Sequence, residues 1–170
     1  MKQILFSLCL LTTVVACAQG DKSKRPSPPA LAKETLNNGT TVSIDYSQPA
    51  VKGRTIGTDL EPMQGQVWRT GANEATVFEV DKDVKIEDQS LPAGKYGLFT
   101  IMDGDEWTII FNKTWKQWGA FSYKEEDDAL RVKVRSGKAP QFSERMTFQV
   151  GKDGKITLLW GDIAVNFMVN

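Results

Sequence analysis

Arg145-Met146-Thr147-Phe148-Gln149-Val150-Gly151-Lys152-Asp153-Gly154-Lys155-Ile156 is the stretch that decides the fold class. Met146, Phe148 and Val150 fall on one parity and Arg145, Thr147 and Gln149 on the other, the two-residue period of a half-buried strand. Asp153-Gly154 then supplies a dipeptide that tight hairpins favour, so the chain turns and returns from Ile156 as a second strand. Working outward, Ile163, Val165, Phe167 and Val169 alternate with Ala164, Asn166 and Met168. Upstream, Leu130, Val132 and Val134 alternate with Arg131, Lys133 and Arg135, and Val42, Ile44 and Tyr46 with Thr41, Ser43 and Asp45. Strands with one wet face belong to antiparallel sheets. Gly94 to Met102 and Trp107 to Phe111 are apolar on both parities and read as central strands. Asn38-Gly39, Pro92-Ala93-Gly94 and Asp103-Gly104 punctuate the pattern, and no segment carries a helical period. About nine or ten short strands predict an all-β chain, an antiparallel β-sandwich or related barrel.

The N-terminus reads differently. Met1-Lys2-Gln3 is a short basic end, Ile4 to Val15 an apolar run, and Ala16-Cys17-Ala18 a patch of small residues, the layout of a secretory signal. The apolar run falls short of the roughly 20 residues that a spanning helix needs. Two cleavage routes fit. Val14-Val15-Ala16-Cys17 matches a bacterial lipobox with Cys17 as the lipidated first residue, while Ala16-Cys17-Ala18 also satisfies ordinary signal peptidase and leaves a soluble periplasmic protein. The lipobox is preferred, because it gives a reason for a cysteine beside the cleavage site of a chain that otherwise avoids cysteine. Gln19 to Ala32 holds Pro26, Pro28 and Pro29 with almost nothing apolar. The expected organisation is a signal over residues 1–16, a disordered Pro-rich tether over 17–32, and a single β-domain over 33–170.

Composition excludes several chemistries. Both cysteines, Cys9 and Cys17, lie in or beside the signal, and the sequence has no histidine. The domain therefore has no disulfide, thiol nucleophile or Ser-His-Asp triad, and lacks the imidazole and thiolate ligands of structural zinc sites. Asp105-Glu106 and Glu125-Glu126-Asp127-Asp128 lack the register of a calcium loop. The expectation is no metal and no cofactor. Charges balance at 21 basic and 21 acidic; removing Lys2, the signal's one charge, leaves 20 against 21. A nucleic-acid partner usually needs a basic excess, so none is expected.

Val67-Trp68-Arg69-Thr70-Gly71-Ala72-Asn73-Glu74-Ala75-Thr76 gathers an indole, a guanidinium, a carboxamide and a carboxylate around one glycine. If Phe78 and Val80 face the core, a strand continued backwards aims Glu74 and Thr76 the same way. An inward carboxylate requires a partner, and Arg69, Asn73 and Arg54 are the candidates. One reading is a register lock in which Asn73 caps backbone groups and Glu74 is neutralised by Arg69 or Arg54. The other is a polar pocket walled by Trp68. Trp115 and Trp118 lie in the loop-like stretch Asn112 to Gly119 among lysines, asparagine and glutamine; they suit either a sugar-stacking surface or a plug at one end of the sheet. Tyr96 follows the Pro-Ala-Gly turn, where β-sandwich tyrosines anchor corners.

Lys52-Gly53-Arg54, the block from Val67 to Thr76, Leu91-Pro92-Ala93-Gly94-Lys95-Tyr96 with Leu98-Phe99-Thr100, Trp107-Thr108-Ile109, Phe111-Asn112-Lys113, Trp118-Gly119 and Tyr123 closely resemble domain-of-unknown-function family 2911, typical of the Bacteroidota envelope. The likeness runs from about Pro28 to Val169. It implies export, an all-β fold and the importance of the tryptophan-to-threonine block, and supplies no substrate. Where the family usually reads Pro-Tyr-Gly, this chain has Pro62-Met63-Gln64-Gly65, so any contact made by that tyrosine is missing here.

Three functions of different classes follow. The first is an envelope lipoprotein, anchored through Cys17, that binds a glycan or other polar small ligand with Arg54, Trp68, Arg69, Asn73, Glu74, Tyr96 and Trp118. The second is a hydrolase or lyase using Glu74 with Lys95 and Tyr96 as acid and base. The third is a structural envelope protein with no ligand. The absence of a paired acid inclines the reading away from an enzyme.

Overall fold

The computed structural model describes residues 21–170; the signal expected over residues 1–16 and the lipidation expected at Cys17 lie outside the described residues. Ten strands follow in chain order: β1 (Pro29–Thr35), β2 (Thr41–Ser47), β3 (Val67–Trp68), β4 (Thr76–Val80), β5 (Val84–Ile86), β6 (Gln89–Leu91), β7 (Gly94–Asp103), β8 (Glu106–Asn112), β9 (Asp128–Val150) and β10 (Lys155–Met168). The helical content of the described residues is two single 3-10 turns, Lys22–Lys24 and Glu125–Asp127. One sheet runs β1-β2-β4-β7-β8-β9-β10 with β3 also on β7, and β5-β6 form a small second sheet. Every strand pair is antiparallel.

The decisive hairpin is present, with Val150 paired to Ile156 and Gly154 at φ +87° in the turn. Leu130–Val134 and Met146–Val150, which read as two strands, are the two ends of β9. Its first part pairs with β8 and its remainder with β10, and the polar middle around Ser136 hands it from one neighbour to the other. That transfer curls the sheet into a half-barrel. The far hairpin reaches back to β2 and the segment after it: Met146 N–H donates to Pro49 O (3.0 Å), and Phe148 N–H donates to the Tyr46 hydroxyl (3.1 Å).

Inside the curl, Phe78, Phe111 and Phe167 meet at centroid distances of 4.9, 6.1 and 6.5 Å, and Trp107 and Trp160 are fully buried beside them. Edge-to-face aromatic packing of this kind adds to the burial of apolar area that holds the two ends of the sheet together. The small sheet closes the remaining side through reciprocal Lys85 and Asn170 backbone bonds of 2.7 and 2.9 Å.

The tether expected over 17–32 is corrected in its described part. β1 begins at Pro29, and Ala30 and Ala32 pack against the core opposite Tyr46 and Ile44. Proline is tolerated there because β1 is an edge strand and Pro29 its first residue. Alanine pairs carry too little hydrophobic signal to announce such a strand.

Candidate functional site

β3 and β4 pair with the same strand on the same side: Trp68 lies opposite Thr100, and Thr76 opposite Leu98. They are one strand interrupted, and Arg69 to Ala75 leave the sheet between them. Thr70 (φ 51°) and Asn73 (φ 61°) adopt the left-handed backbone that turns the excursion out and back. Its base is sealed by hydrogen bonds. Trp68 Nε1 donates to Gly71 O (3.0 Å), Thr76 Oγ1 to Thr70 O (2.8 Å) and Thr70 Oγ1 to Thr100 Oγ1 (3.2 Å), with all three threonines buried. Gly71 lets the chain pack closely there, since a Cβ would stand 3.0 Å from Thr76 Oγ1 and 3.1 Å from Ser47 O.

This excursion overturns the inward Glu74. The strand period stops at Thr76, which does face inward and is fully buried, because the turn at Asn73 resets the chain's direction before β4 starts. Glu74 projects outward instead, its side chain 42% exposed.

The excursion's tip meets a second loop, Lys113 to Gly119. Ala75 N–H donates to Gln117 O (3.0 Å), Gly119 N–H donates to Asn73 O (3.1 Å), and Glu74 and Trp118 form an isolated antiparallel bridge. Buried Asn112 starts this loop: its Oδ1 accepts from Thr114 N–H (2.9 Å), and its Nδ2 donates to Lys124 O (2.9 Å) and Asp128 Oδ1 (2.8 Å). The loop lies directly on β7 because Gly97 has no side chain; a Cβ there would be 2.7 Å from the Phe99 ring and 3.4 Å from Trp115 Cα. Behind it, Tyr123 donates to Asp128 (2.7 Å), and Arg131 donates to both, at 2.6 Å each. Burial first, and the Asp128 carboxylate second, push the Tyr123 phenol up to about 12 despite Arg131.

A third piece is the chain before β1. Asn73 Nδ2 donates to Ser27 O (3.0 Å), Arg145 to Pro26 O (3.3 Å) and Gln48 N–H to Pro28 O (2.9 Å). So pinned, the segment lays Arg25 Nη1 2.7 Å from Glu74 Oε2 and Lys22 Nζ 3.1 Å from Oε1, with the Arg25 guanidinium 5.9 Å above the Trp118 ring. Burial acts to raise the Glu74 pKa, but hydrogen bonds from Arg25, its own backbone and Lys22 outweigh it and hold the carboxyl at about 2.

Between the three pieces lies a cleft of about 390 Å³. Ser47 and Val77 line it from the sheet side, Ala75 from the excursion, Trp115, Gln117 and Trp118 from the loop, and Asp45, Glu74, Lys22, Arg25 and Lys116 supply charge. Trp115 is 36% and Trp118 56% exposed, so both indoles offer a face to a ligand, and the Lys95 ammonium sits 5.6 Å from the Trp115 ring. Gln117 Oε1 is buried without a hydrogen-bond partner among the described residues.

Of the seven residues expected to bind, Glu74 and Trp118 line the cleft and Asn73 braces it. Arg54 donates to Ala50 O (2.6 Å) and Val51 O (3.1 Å), fixing its own loop rather than neutralising Glu74. Trp68 lies in the core and does not line this cleft. Arg69 does not reach Glu74 either; burial lowers its pKa, Glu61 acts against that, and its Nε has no partner among the described residues. Tyr96 is buried and donates to Pro92 O (2.8 Å), the corner role its turn suggested. Lys95 pairs with Glu79 at 3.3 Å, and as a neighbour of Tyr96 on β7 its side chain leaves by the opposite face. Lys95, Tyr96 and Glu74 thus each have separate partners. Lys22 and Arg25 were missed, because charged residues in a Pro- and Ser-rich run read as solvated.

Fold and site together define a class only: an all-β domain whose curled antiparallel sheet bears an aromatic and carboxylate cleft on its outer face. The chain belongs to the family described as protein of unknown function (DUF2911), which it matches over residues 27–169. No curated protein and no solved structure matches it.

Proposed function

We propose that this protein is a cell-envelope binding module of the Bacteroidota type, exported and held to the membrane through a lipid on Cys17, which takes a glycan or other polar small ligand into the cleft beneath Trp115 and Trp118. One observation carries the reading. A carboxylate and two part-exposed indoles are mounted on loops that hydrogen-bond to each other over a rigid sheet. A purely structural plug has no need to leave indole faces open beside a carboxylate, whereas ligand sites combine aromatic surface with a few convergent polar groups. Export and lipidation rest on the sequence around Val14-Val15-Ala16-Cys17. The hydrolase or lyase reading draws no support from Lys95 and Tyr96, whose functional groups are engaged apart from Glu74. The test is a tryptophan fluorescence titration of the full chain with envelope oligosaccharides. Saturable quenching that disappears in Trp118→Ala supports the module; no saturable response to any polar ligand overturns it.

A further inference from the structure

We propose that Arg25 and Lys22 stand, within the chain itself, where a cationic group of the ligand binds, so that the cleft selects molecules bearing a guanidinium or ammonium beside a flat or apolar body. This deepens the binding-module reading and rests on it. Both oxygens of Glu74 are taken by cations, at 2.7 and 3.1 Å, and the same guanidinium lies over the exposed face of Trp118. A carboxylate to pair with and an aromatic face to cover are together a recognition site for nitrogen cations, which carboxylates bind by charge-assisted hydrogen bonds and aromatic faces by cation–π attraction. Asp45 adds a second acid to the cleft and makes no ion pair among the described residues. Lys116 lines the cleft as a third cation, and Asp45 is left without an ion pair there all the same.

The internal occupant is built to leave. The turn Lys22–Lys24 contains no buried residue. Among the described residues its fixed points lie downstream at Pro26, Ser27 and Pro28, so Arg25 and Lys22 can swing off Glu74 without disturbing β1. Ion pairs this exposed are weak, and a tethered weak occupant competes only at the effective concentration its linker allows. A ligand carrying its own cation exchanges with Arg25 rather than entering an empty cleft, and pays in apparent affinity for the fraction of time that Arg25 is bound.

The experiment uses the full chain and a Lys22→Ala/Arg25→Ala variant, titrated with agmatine, D-glucosamine and N-acetyl-D-glucosamine while tryptophan emission is read. Agmatine and glucosamine separate a guanidinium from an ammonium source, and the N-acetyl sugar removes the charge while keeping the ring. The expected result is saturable binding of at least one amine, strengthened about tenfold in the double variant, the gain from removing an occupant that holds the site about nine-tenths of the time. Adding Glu74→Gln to the double variant should abolish it. Equal binding of glucosamine and N-acetylglucosamine, or no gain in the double variant, overturns the cationic selectivity and leaves the binding module intact. Silence toward the amines and toward neutral envelope oligosaccharides alike overturns both.

Discussion

Glu74 and Trp118 face one another as a bridged pair across two loops, so the carboxylate and the indole are held by one hydrogen-bonded unit rather than by independent loops. Gly97 decides where that unit sits. Gly97→Ala pushes a methyl to within 2.7 Å of the buried Phe99 ring and against the backbone at Thr114 and Trp115. Overpacking of this kind costs about 1–3 kcal/mol. Denaturant unfolding should show that loss together with a weaker ligand response, since the loop carrying Trp118 lifts from β7. Unchanged stability and unchanged binding would mean that the loop does not depend on this contact.

Glu74→Ala should cost less than about 1 kcal/mol of stability, because its partners Lys22 and Arg25 are part-exposed and water replaces them. Glu74→Ala and Arg69→Ala should be additive within about 0.5 kcal/mol, as expected for groups with no shared partner. Thr76→Val is the contrasting case. It keeps the side chain's shape and leaves buried Thr70 O without its 2.8 Å donor, at about 1–3 kcal/mol. Urea titrations of the three single variants and the one double variant measure all of this, and a strong Glu74–Arg69 coupling would restore the sealed-pair account.

How much of this the sequence disclosed follows from the range of the interactions. Alternation at Val42–Tyr46 and Met146–Val150 is local and periodic, so the strands and the Asp153-Gly154 hairpin were legible. The Val67–Thr76 block was legible as a site, but its geometry was not. Extending the strand period from Phe78 back to Glu74 fails because Asn73 takes φ 61°, a conformation that asparagine tolerates and that no alternation pattern reveals. The pairing of Glu74 with Arg25, 49 residues away, depends on an edge strand seeded by two alanines. Nothing local to either residue encodes it.

The Glu74 pair should respond to acid. Its carboxyl is depressed in the folded chain from an ordinary 4.5 to about 2. A depressed carboxyl contributes its stabilisation above the unfolded value and loses it as pH falls through the folded one, so the Arg25 contact weakens between about 4.5 and about 2. Carboxyl carbon chemical shifts followed by NMR should place the Glu74 midpoint well below 4.5 in the full chain and close to 4.5 in Lys22→Ala/Arg25→Ala. A midpoint near 4.5 in the unaltered chain would show that Arg25 spends little time on Glu74.

The three tyrosines provide a test at the other end of the pH scale. Tyr46 is raised above 10.0 chiefly by burial, against the opposing bonds from Phe148 and Gln48. Tyr96 is raised by burial and by Asp83, and Tyr123 to about 12 by burial and Asp128. For a group whose folded value lies above the unfolded one, the stabilisation is complete below the unfolded value and is lost as pH rises through the folded value. The Tyr123–Asp128–Arg131 network that backs the Trp118 loop should therefore hold through pH 10 and fail as pH approaches about 12. Spectrophotometric titration of the native protein should show no tyrosinate wave centred at 10.0, whereas the urea-unfolded chain should ionise all three there. Tyr123→Phe should remove the highest native midpoint and cost about 1 kcal/mol, the net worth of a typical hydrogen bond. A native wave at 10.0 with the amplitude of one residue, absent in Tyr123→Phe, would show that Tyr123 is solvated and that the loop bearing Trp118 is not anchored through it.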